Sequence, residues 1–394
     1  MRFVIEGRGL TSGGGKAGML RLLPSLGRQL GHEFVVLLPD LPEYSRTRFS
    51  NLIVLTFPAG GSLIARQLYL NRTVPRICRE HQADALLCMG NFGPATPAIP
   101  TVVFVRNAYY AYHEPVVCRR ATLRDRAIIA WGQRYFRRLS PAVTLVVQTP
   151  IMKRRLAEMY GLDPSRIVVI PDAGAVFLTV STPDPRPLRD PSSPFTFLCL
   201  AVYGPHKNQE ILLEAVPLLQ RISCWPVRCL ITIAPGDHPH AQRFLDLIRR
   251  RKLEHLLINI GHLDRPRLER AYRAADAAIQ PSLLESFGRV YMESMAFDLP
   301  ILASDRDFAH AVCGNAAAYF DPLDASSVAR AMADVMNNRE QRERLIANGR
   351  AALAAAPTWD QIAARFVGVL EDAAGRESSA LRGSEFAIVN PHTV

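Results

Sequence analysis

Apolar residues in this chain come in short runs separated by longer stretches of mixed character. The runs Phe3–Glu6, Phe34–Leu38, Leu52–Phe57, Ala85–Met89, Thr101–Arg106 and Thr144–Gln148 predict strands. A Gly-rich turn and a helix near Lys16–Leu30 follow the first run. Residues 183–194 then hold five prolines and two serines, a composition that predicts a linker. Beyond it the pattern restarts, with strands predicted at Phe195–Leu200, Cys229–Ile233, Leu257–Ile260, Ala277–Gln280 and Ile301–Ala303. Helices are expected near Asn208–Ile222, Ala241–Lys252, Arg265–Ala274 and Arg289–Phe297. Residues 325–350 form a further helical stretch. Residues 358–374 form an amphipathic helix with Trp359, Ile362, Phe366 and Leu370 on one face. Alternation of this kind builds parallel sheets covered by helices on both faces.

A chain of 394 residues exceeds one ordinary core, so two domains are expected. No apolar run is long enough to span a membrane, and the charged first strand is not a signal peptide. The seven cysteines are scattered without metal-ligand spacing, which predicts reduced thiols in a cytoplasmic protein. The net charge of +11 is uneven. Residues 1–185 hold 23 Lys and Arg against 12 Asp and Glu, whereas residues 186–394 are balanced at 24 of each. Arginines 119, 120, 124, 126, 134, 137 and 138 are interleaved with Trp131, Tyr135 and Phe136 at roughly helical spacing. A basic helix over Arg119–Arg138 could lie on an anionic membrane surface, or could be a core-facing helix with a solvated back. No nucleic-acid module is visible, and nucleic acid is not an expected partner.

The densest chemistry lies between Pro281 and Ala296. Glu285 and Glu293 stand eight residues apart, with Ser286-Phe287-Gly288 just after the first. The composition from Val290 to Ala296 predicts a helix opening near Gly288, with Glu285 on the preceding loop. A helix start offers backbone N–H groups and partial positive charge to an anion. Two carboxylates flanking such a seat suit a ligand with phosphate in its middle and hydroxyls at both ends, the shape of a nucleotide sugar. Gly13-Gly14-Gly15-Lys16 follows the first strand. Gly7-x-Gly9-x-x-x-Gly13 has one residue too many for a dinucleotide fingerprint.

This Glu-x7-Glu stretch runs on into Pro300-Ile301-Leu302-Ala303-Ser304-Asp305, and together they resemble the donor-site signature of retaining glycosyltransferases of family 4 (group 1). Gly261-His262-Leu263, Tyr203-Gly204-Pro205-His206-Lys207-Asn208 and Ile167–Asp172 extend the resemblance. It is strong over residues 146–335 and architectural before them. It implies an α/β GT-B fold, two Rossmann-like domains facing a cleft, with a C-terminal helix crossing back to the first. The expected boundaries are 1–182 for the acceptor-binding domain, 183–194 for the linker and 195–356 for the nucleotide-sugar domain. Residues 357–374 form the returning helix and 375–394 a tail.

The resemblance also assigns roles. Lys207, Glu285 and Arg106 become the catalytic candidates. Gly14, Gly15, His206, Asn208, Gly261, His262, Leu263, Ser286, Phe287, Gly288 and Glu293 become donor-binding, with Glu293 on the ribose diol. Lys16, Asn107 and His113 fall on the acceptor side. The sequence departs from the family at Val202, where an arginine is usual, and at Arg106, where a histidine is usual. Asp305-x-Asp307 falls where the resembled fold has an ordinary loop, so no metal and no cofactor are expected.

The expected activity is transfer of a sugar from a nucleotide diphosphate sugar to an acceptor hydroxyl on a glycolipid or surface-polysaccharide precursor. Retention and metal independence are expected, in the cytoplasm or peripherally on the inner face of the membrane. Two alternatives stay open, an epimerase or hydrolase of nucleotide sugars and a non-catalytic nucleotide-sugar-binding subunit. Sugar, base and acceptor are not legible.

Overall fold

The structure, a computed structural model, describes residues 1–11, 13–173 and 193–375. The chain folds as two compact units. The first comprises residues 1–113, 121–173 and the returning segment from 357, and the second comprises 114–120 and 193–356. Residues 183–192 of the expected linker and 376–394 of the expected tail lie outside the described residues.

The first unit is built on seven parallel strands. These are β1 (Arg2–Glu6), β2 (Glu33–Pro39), β3 (Leu52–Phe57), β4 (Ala85–Cys88), β5 (Thr101–Phe104), β6 (Val143–Val147) and β7 (Ile167–Val169), in the order β3-β2-β1-β4-β5-β6-β7. Pairing of β1 to both β2 and β4, with Val4 opposite Val35 and Leu86, puts a topological switch point beside β1. Every residue of β4 and β5 is buried, as a parallel sheet covered on both faces requires. The helix Trp359–Ala373 packs on the helix Gly13–Gly27 and on β4 and β5, with Phe366 edge-on to Phe104. Arg28 is paired with Asp360 across this contact. The returning helix therefore sits on the first unit, as expected.

The second unit has six parallel strands. They are β8 (Phe195–Cys199), β9 (Val227–Ile231), β10 (Leu257–Asn259), β11 (Ala277–Gln280), β12 (Ile301–Ser304) and β13 (Ala317–Phe320), in the order β10-β9-β8-β11-β12-β13. Its core joins Phe197, Leu212, Val216, Ile231, Phe244, Ile279, Val328 and Met332. The switch point lies between β8 and β11.

Four expectations change. Gly13, Gly14 and Gly15 form the first turn of a helix instead of a loop, with Gly13 at φ +57°. Residues 325–350 divide at Asn338, whose side chain caps a second helix, Arg339–Ala355, by accepting from Gln341 N. Residues 114–120 belong to the second unit, not to the first. The basic stretch 119–138 is two helices, Pro115–Arg120 and Leu123–Arg137, because Thr122 and Asp125 form a reciprocal cap that starts the second. Phe136 is buried, and Tyr135 is half-buried beside it. Its hydroxyl accepts from Gly93 N at 2.9 Å, within a ring cluster of Phe92, Tyr110, Phe136 and Tyr160. Arg124, Arg126, Arg134, Arg137 and Arg138 are exposed, with Leu123 beside them at 84% exposure. No helix among the described residues is long and apolar enough to cross a membrane.

Candidate functional site

In an open parallel sheet, loops leaving adjacent strands on either side of a switch point converge at the carboxyl edge. That geometry brings Lys207, after β8, to Glu285, after β11, although 78 residues separate them. Lys207 Nζ lies 2.6 Å from Glu285 Oε1, and Ser282 Oγ donates to the same oxygen at 2.8 Å. The His206 carbonyl accepts from Leu283 N at 2.7 Å, so the two loops are tied through the backbone as well. Burial alone would raise the Glu285 carboxyl. The charges of Lys207 and His206 and the hydrogen bonds outweigh it and hold the carboxyl below its usual range.

The helix Arg289–Ala296 starts at Gly288, as the composition predicted. Gly288 adopts φ +74°, and a Cβ there would stand 2.4 Å from the Tyr291 ring, so only glycine makes this cap. Phe287 is buried and Ser286 half-buried on the approach to it. Glu293, one turn further, is held by Tyr272, whose hydroxyl donates to Glu293 Oε2 at 2.8 Å. Tyr272 is fully buried and stacks on Phe297 with ring centroids 4.8 Å apart.

The remaining donor-side candidates sort by their contacts. Asn208 is buried in a left-handed conformation; its Nδ2 donates to the Pro322 carbonyl at 2.7 Å, and its Oδ1 accepts from Arg120 at 2.8 Å. Its side chain anchors the loop through both bonds. Gly261 turns the chain at φ +65°, His262 is exposed and Leu263 packs against the apolar cluster around Tyr272. Asp305 pairs with His310 at 2.7 Å. Among the described residues no group of three or more metal-ligating side chains is gathered.

In the first unit, Arg106 is half-buried after β5 and donates to the Met89 carbonyl at 3.0 Å. Its backbone N–H and that of Asn107 both donate to Asn91 Oδ1. A Cβ on Gly15 would stand 3.1 Å from the Arg106 guanidinium, so the glycine turn and Arg106 lie against each other. Asn107 caps its own turn by accepting from Tyr109 N, Lys16 pairs with Glu43 at 2.8 Å, and His113 is exposed. Sequence reasoning missed Glu6 and Arg66. Glu6 ends β1 fully buried, and Arg66 donates to the Gly90 carbonyl beside it. Burial pushes the Glu6 carboxyl above its usual range, against the pull of Arg66 and Arg8. The available signal was a charge at the end of the first strand. Tyr272 was missed too, because its partner Glu293 lies 21 residues away in the sequence.

Residues 181–352 match the model of glycosyl transferases group 1, and residues 12–173 that of glycosyltransferase family 4. The D-inositol 3-phosphate glycosyltransferase of Kineococcus radiotolerans is 30% identical over 171 residues, 41% of this chain and 39% of that protein. The phosphatidyl-myo-inositol mannosyltransferase of Mycobacterium tuberculosis is 31% identical over 191 residues, 46% of this chain and 48% of that one. The matched stretches thus span half or less of these relatives' lengths. A glycosyltransferase from Rickettsia africae superposes with a TM-score of 0.69 at 15% identity, covering 94% of this chain and 98% of that one. WaaG, a glycosyltransferase involved in lipopolysaccharide biosynthesis, gives 0.67 at 16%, covering 94% and 99%. At these identities the structures share the fold.

Proposed function

The chain belongs to the group 1 / family 4 glycosyltransferases of GT-B fold, and on that premise we propose that it moves a sugar from a nucleotide diphosphate sugar to an acceptor hydroxyl. The observation that carries this reading is the Lys207–Glu285 pair at the switch point, beside the N-terminus of the helix Arg289–Ala296. A departing nucleoside diphosphate gains negative charge, and a fixed ammonium and a helix start stabilise it. Glu293 accepts from the ribose diol with the orientation Tyr272 sets. Glu285, relieved of part of its contact when Lys207 turns to the diphosphate, accepts from the sugar hydroxyls. Transfer proceeds with retention and without a metal, since Lys207 and the helix supply the charge a metal would bring.

On the acceptor side, Arg8, Arg66 and Arg106 gather at the carboxyl edge of the first sheet, which favours an acceptor bearing a phosphate or other anion. The inositol phosphate and phosphatidylinositol named for the two curated relatives fit that class. Leu123 and the exposed arginines of the helix Leu123–Arg137 dock the first unit on anionic lipid, where a lipid-linked acceptor resides.

A thermal-shift panel of UDP-, GDP-, dTDP- and ADP-sugars tests the donor, because a ligand that binds only the folded state raises its stability. Stabilisation by at least one, followed by a glycosylated acceptor in a lipid extract, is expected. Release of free sugar with no glycosylated product turns the reading to a hydrolase, and no stabilisation by any overturns it.

A further inference from the structure

The carboxyl edge of the second sheet carries a clasp outside the contacts described so far. Asp237 lies in the loop after β9, with its side chain 3% exposed. Its Oδ2 accepts from Tyr203 N at 3.1 Å and from Ala234 N at 3.0 Å. Its Oδ1 lies 2.6 Å from Nε2 of His262, whose side chain is 55% exposed. Tyr203 lies in the loop that carries Lys207, and His262 stands on the turn after β10. One carboxylate therefore joins the exits of three neighbouring strands, β8, β9 and β10. The two backbone donors fix one oxygen, and the other is left at a set position against the imidazole.

An ionised carboxylate has no hydrogen to give, so Nε2 carries the hydrogen of this contact. In the neutral ring Nδ1 is then an acceptor. It has no partner among the described residues. The anchored nitrogen faces a buried group, so the half-exposed ring offers its other edge.

We propose that Asp237 is a positioning residue that holds His262 as a hydrogen-bond acceptor for the nucleobase. Such an acceptor selects bases whose ring nitrogen carries a hydrogen, uracil and guanine, over cytosine and adenine, whose matching nitrogen is bare. The wrong base leaves two acceptors facing each other, which discriminates more strongly than shape alone. This inference rests on the donor reading above: Glu293 takes the ribose, and Leu263 packs in the same cluster as the Tyr272 that holds Glu293, which puts the adjoining His262 on the side where the base leaves the ribose.

Calorimetric titration of the full chain at about pH 8 tests it, with UDP, CDP, GDP, ADP and inorganic pyrophosphate as probes. The wild type should prefer UDP to CDP, and GDP to ADP, by about tenfold, the factor one net hydrogen bond supplies. Asp237→Asn keeps the size of the side chain and leaves an amide oxygen for Tyr203 N and Ala234 N. Its amide nitrogen then faces Nε2 and drives the hydrogen to Nδ1. The preference for UDP and GDP should fall about tenfold or invert, with pyrophosphate affinity unchanged and the ¹⁵N shifts of His262 reporting the other tautomer. His262→Ala, at an exposed position, should flatten the preference alone. An Asp237→Asn protein that melts earlier yet keeps the base preference overturns the proposal, as does a wild type that binds all four nucleotides alike. If neither nucleotides nor pyrophosphate bind the wild type, the donor reading fails and this inference falls with it.

Discussion

Tyr272 gives its phenolic hydrogen to Glu293 Oε2 at 2.8 Å, from a position with no solvent exposure. One of the two carboxylate oxygens is thereby oriented before any ligand arrives. Tyr272→Phe removes that hydrogen bond and little volume. A net loss of about 1 kcal/mol in donor binding is expected, or roughly a fivefold rise in KM with kcat nearly constant. Steady-state kinetics at varied donor concentration measures it, and an unchanged KM would detach Tyr272 from the donor site.

Glu293→Ala removes the acceptor itself. Donor affinity should fall by about 1.5–3 kcal/mol, the usual worth of hydrogen bonds to a charged group. Calorimetry on the nucleotide diphosphate reads the loss directly. Undiminished affinity would take Glu293 out of the site.

Lys207→Ala should lower kcat more than Glu293→Ala does, because charge on the leaving diphosphate grows toward the transition state. Wild-type activity should persist in excess EDTA. Abolition by chelator and recovery with Mg²⁺ or Mn²⁺ would contradict the metal-free reading.

The Lys207–Glu285 pair also has a pH signature. Glu285 is held below its ordinary value in the folded protein. Its contribution to stability is therefore complete above about pH 4.5, the unfolded value, and disappears as pH falls through the lower folded value. In Lys207→Ala the buried carboxyl loses its largest favourable charge, so its pKa should rise and this acid-side contribution should vanish or reverse. Melting temperatures from pH 3 to 7 for the two proteins should converge at the acid end. Parallel curves would show that the pair is not coupled to folding.

Binding to liposomes should rise with anionic lipid content and fall with salt, since each arginine near the surface contributes about 1 kcal/mol that salt screens. Replacing Arg134, Arg137 and Arg138 by Glu, or Leu123 by Asp, should weaken it without altering nucleotide affinity. Tyr135→Ala should instead destabilise the fold, because its hydroxyl serves Gly93 N. A wild type indifferent to anionic liposomes at low salt would make the helix a solvated structural one.

Strands and helices were legible because side-chain periodicity is local. Leu52–Phe57, Ala277–Gln280 and Arg265–Ala274 form at the expected bounds. The Gly288 start was legible for the same reason, since one residue type permits its backbone conformation. The strand Ala317–Phe320 was not, being short and lacking a strong alternation.

The sequence by itself determined two α/β halves, the candidate donor loops and the glycine at the helix start. Tertiary structure alone decided which loops meet. The sheet order puts β8 beside β11 and so joins Lys207 to Glu285, and it puts β9 and β10 on the other side, where Asp237 reaches His262. It also decided which face of the basic helix is inside, since the same spacing suits a membrane or a core until Gly93 and Phe92 supply partners for Tyr135. Periodicity records what each segment prefers locally, whereas strand order and burial depend on contacts between residues far apart in the chain.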